Sequence, residues 1–262
     1  MTSPLKQIIK SLTPEPVWEW AKSQYSNGMN SGKAPGIGAV NFGDLRRLTP
    51  ISRSFGADRG TILDRHYIEA FLGKHQGDIK GRVLEIGDNF YTLRFGNDDV
   101  TDGDVLHVEA GNPLATIVAD LSAADEVPSN TFQCIIFTHT IQMIYDFQAA
   151  MDHLHRILKP GGVLLMATHG TSRVGRRLGK DHWGVYWRMT EDSVRRIFSE
   201  RFREENVEVQ GYGNILAATA FLYGIAAEEL TPEELDTYDA DYQVLIAARG
   251  VKPMHVSEGS DV

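Results

Sequence analysis

Arg82-Val83-Leu84-Glu85-Ile86-Gly87-Asp88 is the stretch whose reading decides the fold. Val83 to Ile86 is a short apolar run carrying one carboxylate, and it closes on a glycine. The first strand of an open α/β sheet reads this way when a ligand sits at its carboxyl end. A side chain at that tight turn would suffer a positive φ or block the ligand's approach. Glu85 is expected to point out of the strand end and accept hydrogen bonds from the ligand. Taken alone, the run equally describes any buried strand that ends in glycine.

Further runs agree with it. Val105-Leu106-His107-Val108 leads into Glu109, 24 residues beyond Glu85. In dinucleotide folds an acidic residue about 20 positions on, at the end of the second strand, holds ribose hydroxyls. Ala115 to Ala119 runs into Asp120-Leu121, and Phe132 to Phe137 runs into Thr138-His139. Four strand-like runs, each with a polar residue at its exit, describe one edge of a parallel sheet with a site along it.

At 262 residues the chain suits one large α/β domain with an extension. The expected division is an N-terminal helical extension and linker over 1–50, the α/β domain over 51–250, and a loose tail over 251–262. The net charge of −9 argues against general nucleic-acid binding, which needs a basic footprint. Mean hydropathy is −0.25, and no apolar run approaches the ~20 residues of a membrane span. A cytoplasmic protein is the expectation. Cys134, the single cysteine, sits mid-strand and reads as an inert core thiol.

Leu5, Ile8, Ile9 and Leu12 fall at helical spacing, and Trp18 and Trp20 follow beyond two prolines. These tryptophans need a partner surface: the domain's own flank, a second subunit in a homodimer, a lid over the site, or a membrane surface. Residues 27–43 read as a Gly/Asn/Ser-rich linker. Thr61-Ile62-Leu63-Asp64 reads as a capping box before a helix with Tyr67, Ile68, Phe71 and Leu72 inward. Arg59, Arg65 and Tyr67 of this piece could face a cofactor carboxylate, or be surface charges and a core tyrosine. Asp98, Asp99, Asp102 and Asp104 read as a solvated turn, because no glutamate closes an EF-hand loop.

A helix over 148–158 stops at Lys159-Pro160-Gly161-Gly162, and Val163 to Ala167 forms the fifth strand. Residues 168–190 lack periodicity, and loops of this length are usually functional or disordered. Thr190 caps the next helix, with Glu191 and Asp192 in its first turn. A strand over 206–210, an alanine-rich helix over 215–230 and a last strand over 242–248 complete the pattern.

These motifs together resemble the class I S-adenosylmethionine (SAM) dependent methyltransferases. His155-Arg156-Ile157-Leu158-Lys159-Pro160-Gly161-Gly162-Val163-Leu164-Leu165 is the most specific of them. A closer resemblance is to bacterial methyltransferase domains found beside glycosyltransferases in polysaccharide and natural-product pathways. It rests on Glu85-Ile86-Gly87-Asp88 with Tyr91-Thr92, and on Trp183-Gly184-x-Tyr186-Trp187-Arg188. The resemblance implies a Rossmann-like fold: a seven-stranded, mostly parallel sheet of order 3-2-1-4-5-7-6, its last strand antiparallel, with helices on both faces. It implies that Glu85, Gly87, Asp88 and Tyr91 hold the methionine end of SAM and that Glu109 binds the ribose. Asp120 would face the adenine amino group with Leu121 against the ring. Thr138 and His139 would border the methyl-transfer path, with Gln142 nearby.

One departure stands out: Asn89 and Tyr91 occupy positions where the family's turn has glycines. Asp88 and the missing glycines also oppose a pyrophosphate, which disfavours NAD.

Methyl transfer to a hydroxyl calls for a base near neutral pKa, the natural work of histidine. His182, oriented by Asp181, is the first candidate and His139 the second. His169 also lies at the expected mouth. Each could equally be structural. Gln142, His169, Trp183, Tyr186, Trp187 and Arg188 are the expected substrate-binding residues. Arg173, Arg176, Arg177, Lys180 and Arg188 could clamp an anionic group beside the aromatic residues, or be a solvated basic loop. A metal-assisted mechanism is open in sugar methylation, but no clear His/Asp ligand constellation is visible in the sequence and no metal ligand is assigned. The expected activity is O-methylation of a sugar or other small natural-product hydroxyl. The alternatives are a methyltransferase-fold scaffold without activity and a SAM-binding enzyme of another reaction type.

Overall fold

The structure is a computed structural model, and residues 35–175 and 184–254 are described. The chain divides into two compact units, Met1–Arg47 and Leu48–Val262. In the first, the described part contains one short 3₁₀ turn, Gly43–Leu45. The expected helix over 1–26, with Trp18 and Trp20, lies outside the described residues, and so does any dimer contact through it.

The second unit is a single sheet clothed by helices. Its strands are β1 (Gly81–Ile86), β2 (Val100–His107), β3 (Ile117–Val118), β4 (Phe132–Thr138), β5 (Leu158–His169), β6 (Val207–Tyr212) and β7 (Leu245–Val251). Its helices are α1 (Leu63–Lys74), α2 (Phe90–Phe95), α3 (Phe147–Ile157), α4 (Glu191–Phe202), α5 (Ile215–Tyr223) and α6 (Pro232–Asp236). The strand order is β3-β2-β1-β4-β5-β7-β6. β7 is antiparallel to both of its neighbours, and the other pairings are parallel. This is the Rossmann-like order expected from the sequence.

Period-2 alternation along the central strands sends side chains to two cores. Ile135 and Phe137 of β4, with Leu164 and Met166 of β5, meet the buried faces of α3 and α4. Cys134 and Ile136, with Leu165 and Ala167, meet α1 and α5. Cys134 is fully buried, and burial pushes its thiol pKa up, so it stays protonated. Among the described residues no helix is long and apolar enough to cross a membrane.

Several sequence boundaries need correction. β2 begins at Val100, so Asp102 and Asp104 lie on the strand and not in a turn. Asp104 accepts from Arg82 Nε at 2.6 Å and from Thr116 Oγ1 at 2.7 Å, tying β2 to β1 and to the approach to β3. β5 takes in Lys159 to Gly162, because α3 ends at Ile157 and the chain pairs with β4 from Leu158 onwards. α5 stops at Tyr223, not 230, because Gly224 adopts the left-handed cap at φ 71°. β7 lies three residues later than expected and ends at Val251. Lys252 then donates to Leu158 O at 2.7 Å and Asn130 Oδ1 at 2.9 Å, so the chain is still tied down where a loose tail was expected to start.

Asn214 is the N-cap of α5, and it is buried. Its Oδ1 accepts from Leu216 N and Ala217 N, each at 3.0 Å, while Nδ2 donates to Glu234 O and Thr237 O, each at 2.7 Å. One side chain therefore caps α5 and holds α6 against it. Replacing Asn214 with Ala should cost about 2–4 kcal/mol, since a lost cap is combined with two unsatisfied carbonyls. Urea unfolding measures this, and a loss under about 0.5 kcal/mol would contradict the assignment.

Candidate active site

The turn after β1 is built around a carboxylate that never leaves the protein. Glu85 is 2% exposed. Its Oε1 accepts from Tyr91 N at 3.0 Å, and its Oε2 accepts from Thr92 N and Thr92 Oγ1 at 2.7 Å each. It pins the N-terminus of α2 to the end of β1. The expectation that Glu85 points out of the strand end is therefore corrected. Burial raises its pKa to about 7, against the three hydrogen bonds that favour the charged form.

Gly87 follows at φ 94°, with nothing within 4 Å of where a Cβ would sit. The glycine answers to backbone conformation and leaves an open approach to the main chain. Asn112, a residue sequence reading passed over, donates from Nδ2 to Gly87 O at 2.7 Å. Asp88 accepts from Phe90 N at 2.9 Å. The missing glycines now have a physical explanation. Asn89 sits at φ −121°, where no glycine is needed, and Tyr91 is in the first turn of α2. Tyr91 is buried, stacked on Phe95 and edge-on to Phe90, so its ring belongs to the core beside α1.

Beyond β2, Glu109 is exposed, and its N–H donates to His107 Nδ1 at 3.1 Å. Beyond β3, Asp120 is exposed and accepts from Ser122 N at 2.9 Å, capping the turn Leu121–Ala123. Leu121 is buried in the core with Leu106 and Ala119.

The exits of β4 and β5 border a cavity of about 380 Å³. Phe55, Ile62, Met143 and Val185 supply its apolar wall. Asp64, His139, Gln142, His169 and the arginines Arg65, Arg173 and Arg188 supply its polar wall. Asp64 was read from the sequence only as part of a capping box. That reading is corrected: α1 starts at Leu63 with Ile62 as N-cap and no side-chain cap, and Thr61 is held by Glu228 instead.

Asp64 is buried in the first turn of α1. Its Oδ2 accepts from His169 Nε2 at 2.8 Å and lies 3.2 Å from His139 Nε2. The two imidazoles stack, with centroids 4.1 Å apart and planes at 23°. Burial opposes the charge on Asp64, yet His139 and then His169 hold its carboxyl well below the usual carboxylate range. Burial, then repulsion from His139, lowers the His169 pKa to about 4. His169 is therefore neutral near pH 7, and its Nε2 carries the hydrogen that Asp64 accepts. His139 sits at φ 49°, a conformation that favours glycine. Both of its ring nitrogens are shielded and have no hydrogen-bond partner. His139 thus holds an imidazole in a strained conformation at the cavity wall.

These three side chains also offer one ligand atom each within 4.8 Å of one another. The expectation that no metal-capable constellation exists is thus corrected. Imidazole lone pairs lie in the ring plane, however, and two nearly parallel stacked rings aim theirs side by side. Sharing one ion would require the stack to open, whereas proton transfer uses the arrangement as it stands.

The sequence-predicted substrate residues divide. Gln142, His169 and Arg188 line the cavity. Gln142 Oε1 accepts from Thr168 Oγ1 at 3.1 Å, and Gln142 O accepts from Tyr186 N at 2.8 Å, so it also holds the chain at Tyr186. Trp187 is an anchor and not a platform: Nε1 donates to Ile144 O at 3.0 Å, and the ring stands edge-on to Phe147. Tyr186 is 52% exposed, packs on Tyr145 and does not line the cavity. Thr138 ends β4, where its carbonyl accepts from Thr140 Oγ1 at 2.8 Å. His182, Trp183 and Asp181, with Arg176, Arg177 and Lys180, lie outside the described residues.

The family described as "Methyltransferase domain" matches residues 97–215. The strand order is that of the Rossmann-like methyltransferase fold, and the matched segment lies within that sheet and its helices. No curated protein matches the chain. Among solved structures it is similar to a SAM-dependent methyltransferase from Archaeoglobus fulgidus, at 12% identity and TM-score 0.48 over 72% of this chain and 94% of that one. It is similar to the 1,6-didemethyltoxoflavin-N1-methyltransferase of Burkholderia thailandensis, at 12% identity and TM-score 0.45 over 72% and 78% of the two chains. The [4+2]-cyclase SpnF is similar at 16% identity and TM-score 0.46 over 75% and 85%. All three scores lie below 0.5, so they add nothing on substrate or reaction.

Glu85→Ala should destabilise the domain by about 2–4 kcal/mol, because two buried amides and a hydroxyl lose their acceptor. Glu85→Gln should cost less, since it keeps one carbonyl oxygen and the native carboxyl pKa is already near 7. Urea midpoints of the two variants compare these costs. A Gln variant as weak as Ala would show that the charge, and not the acceptor, holds the turn.

Proposed function

We propose that this protein transfers a methyl group from SAM to a hydroxyl of a sugar or other small natural product, with His139 as general base. The observation that carries this reading is the Asp64–His169–His139 cluster on the cavity wall where β4 and β5 end.

The residues along the other half of the sheet edge fit SAM. The open backbone approach at Gly87 suits its methionine end, and Asp88 sits beside it. Glu109 and Asp120, exposed beyond β2 and β3, suit the ribose hydroxyls and the adenine amino group. Leu121 and Tyr91 are buried and can only support this surface from beneath. Arg65, on the cavity wall, suits the SAM carboxylate. When bound, SAM supplies a methyl group already activated by its sulfonium.

The chain's own task is to align, exclude water and take one proton. His139 Nδ1 accepts the hydroxyl proton, because Nε2 faces Asp64. Asp64 stabilises the imidazolium that forms, at 3.2 Å from Nε2. His169 stays neutral, so it does not compete for charge, and its ring supports that of His139. Gln142 and Met143 border the acceptor, and the apolar wall excludes water. A small-molecule or glycan acceptor and a cytoplasmic setting go with this reading, and the acidic chain does not favour nucleic acid.

The test is an acceptor screen that reads transfer of one methyl group by mass, over sugars, nucleotide-sugars and phenolic glycosides. With an acceptor in hand, His139→Gln should lower kcat by about 10²–10⁴-fold, with little change in affinity for S-adenosylhomocysteine. Asp64→Asn should lower kcat in the same direction. Full turnover in both variants would end the general-base assignment.

A further inference from the structure

We propose that the methyl acceptor carries an anionic group, a carboxylate or a phosphate, held by Arg173 and Arg188. This rests on the methyltransferase reading above and adds the chemical class of its substrate.

The cavity wall holds three arginines and one carboxylate. That carboxylate, Asp64, is engaged with the two histidines. Elsewhere several arginines have a carboxylate, Arg59 with Glu229, Arg82 with Asp104, Arg94 with Glu69, Arg201 with Asp152 and Arg249 with Asp78, while Arg156 donates to the carbonyls of Ala124 and Val127. Among the described residues none of the three cavity arginines has one. Arg173 lies with its guanidinium carbon 3.5 Å from the Phe55 ring centroid. Its Nε is shielded from solvent and has no hydrogen-bond partner. Arg188 donates only to carbonyls, to Arg173 O at 2.7 Å and Trp187 O at 3.0 Å, and the first of these joins the two segments. Burial holds both guanidinium pKa values below the ordinary arginine range, and Arg53 adds to this at Arg173.

Arg173 is half-buried, and a cation withdrawn from water without a counter-charge is costly; Arg188 lies exposed beside it and is tied to it through Arg173 O. The cost is met if an anion arrives with the substrate, because charge-assisted bonds to a guanidinium are strong and directional. SAM brings a single carboxylate, and Arg65 suits it. With Arg65 taking that carboxylate, Arg173 and Arg188 remain for the acceptor. Phe55, Met143 and Val185 offer its carbon skeleton an apolar surface beside them.

The test uses protein saturated with S-adenosylhomocysteine, its binding established first by calorimetry. 4-Nitrophenyl β-D-glucuronide, 4-nitrophenyl phosphate and the neutral 4-nitrophenyl β-D-glucoside are then titrated. At least one anion should bind about tenfold or more tightly than the glucoside. Whether the carboxylate or the phosphate probe wins identifies the anion. Arg173→Gln and Arg188→Gln, each checked for an unchanged thermal midpoint, should erase the preference and leave glucoside binding as it was. Equal binding of all three probes, or a preference that survives in both variants, overturns the proposal. If S-adenosylhomocysteine does not bind, the methyltransferase reading fails by itself. The same titrations on the free protein then still decide whether the arginines hold an anion.

Discussion

One carboxylate oxygen, Asp64 Oδ2, faces two stacked imidazoles, and the arrangement of the cavity depends on it. It joins the first turn of α1 to the ends of β5 and β4. The pair would be unstable if both rings were charged, and burial prevents this by keeping His169 neutral. Asp64 then accepts from His169 Nε2 and lies 3.2 Å from His139 Nε2. The strained backbone at His139 is tolerable only because ring stacking and this shared oxygen define where its side chain goes.

The fold explains why such a cluster forms at this edge. β1 and β4 are neighbours, with β2 and β3 continuing to one side and β5, β7 and β6 to the other. The chain therefore leaves β1 and β4 in opposite directions, and a crevice opens between them at the carboxyl edge. On one side are the open backbone at Gly87 and the exposed acids Glu109 and Asp120. On the other are the histidines and the arginine-lined cavity. Glu85 maintains the first side from beneath, and Gln142 and Ile144 hold Tyr186 and Trp187 beside the second. The cationic wall faces the side where the acceptor is proposed to bind, and the acidic groups face the side proposed for the cofactor.

Much of this was legible in the sequence because strand runs and their polar exits are local patterns. The sheet order followed from the resemblance those patterns carry. The positions of Gly87, His139, His169 and Arg188 at strand exits or along the aromatic loop were legible too. Asp64 was not, because its partner His169 lies 105 residues away and its local context mimics a capping box. Glu85 was placed at the right strand end but given the wrong direction, since a short helix folds back over it. Trp187 and Tyr91 look like binding aromatics in sequence, but their neighbours Phe147 and Phe95 draw them into packing. Asn89 and Tyr91 stand where the family's turn has glycines, and neither takes a positive φ.

The most direct test of the Asp64 cluster is an NMR titration of the imidazole nitrogens in ¹⁵N-histidine-labelled protein, from pH 8 to the acid limit of folding. The account predicts that His169 stays neutral, with hydrogen on Nε2, until the pH falls towards about 4. Asp64→Ala, which removes the acceptor, should remove the distinctive Nε2–H signal. A His169 that titrates as free imidazole does, near 6.5, would contradict the account. The shared carboxylate would then not organise the cavity, and His139 would lose its claim to be the base.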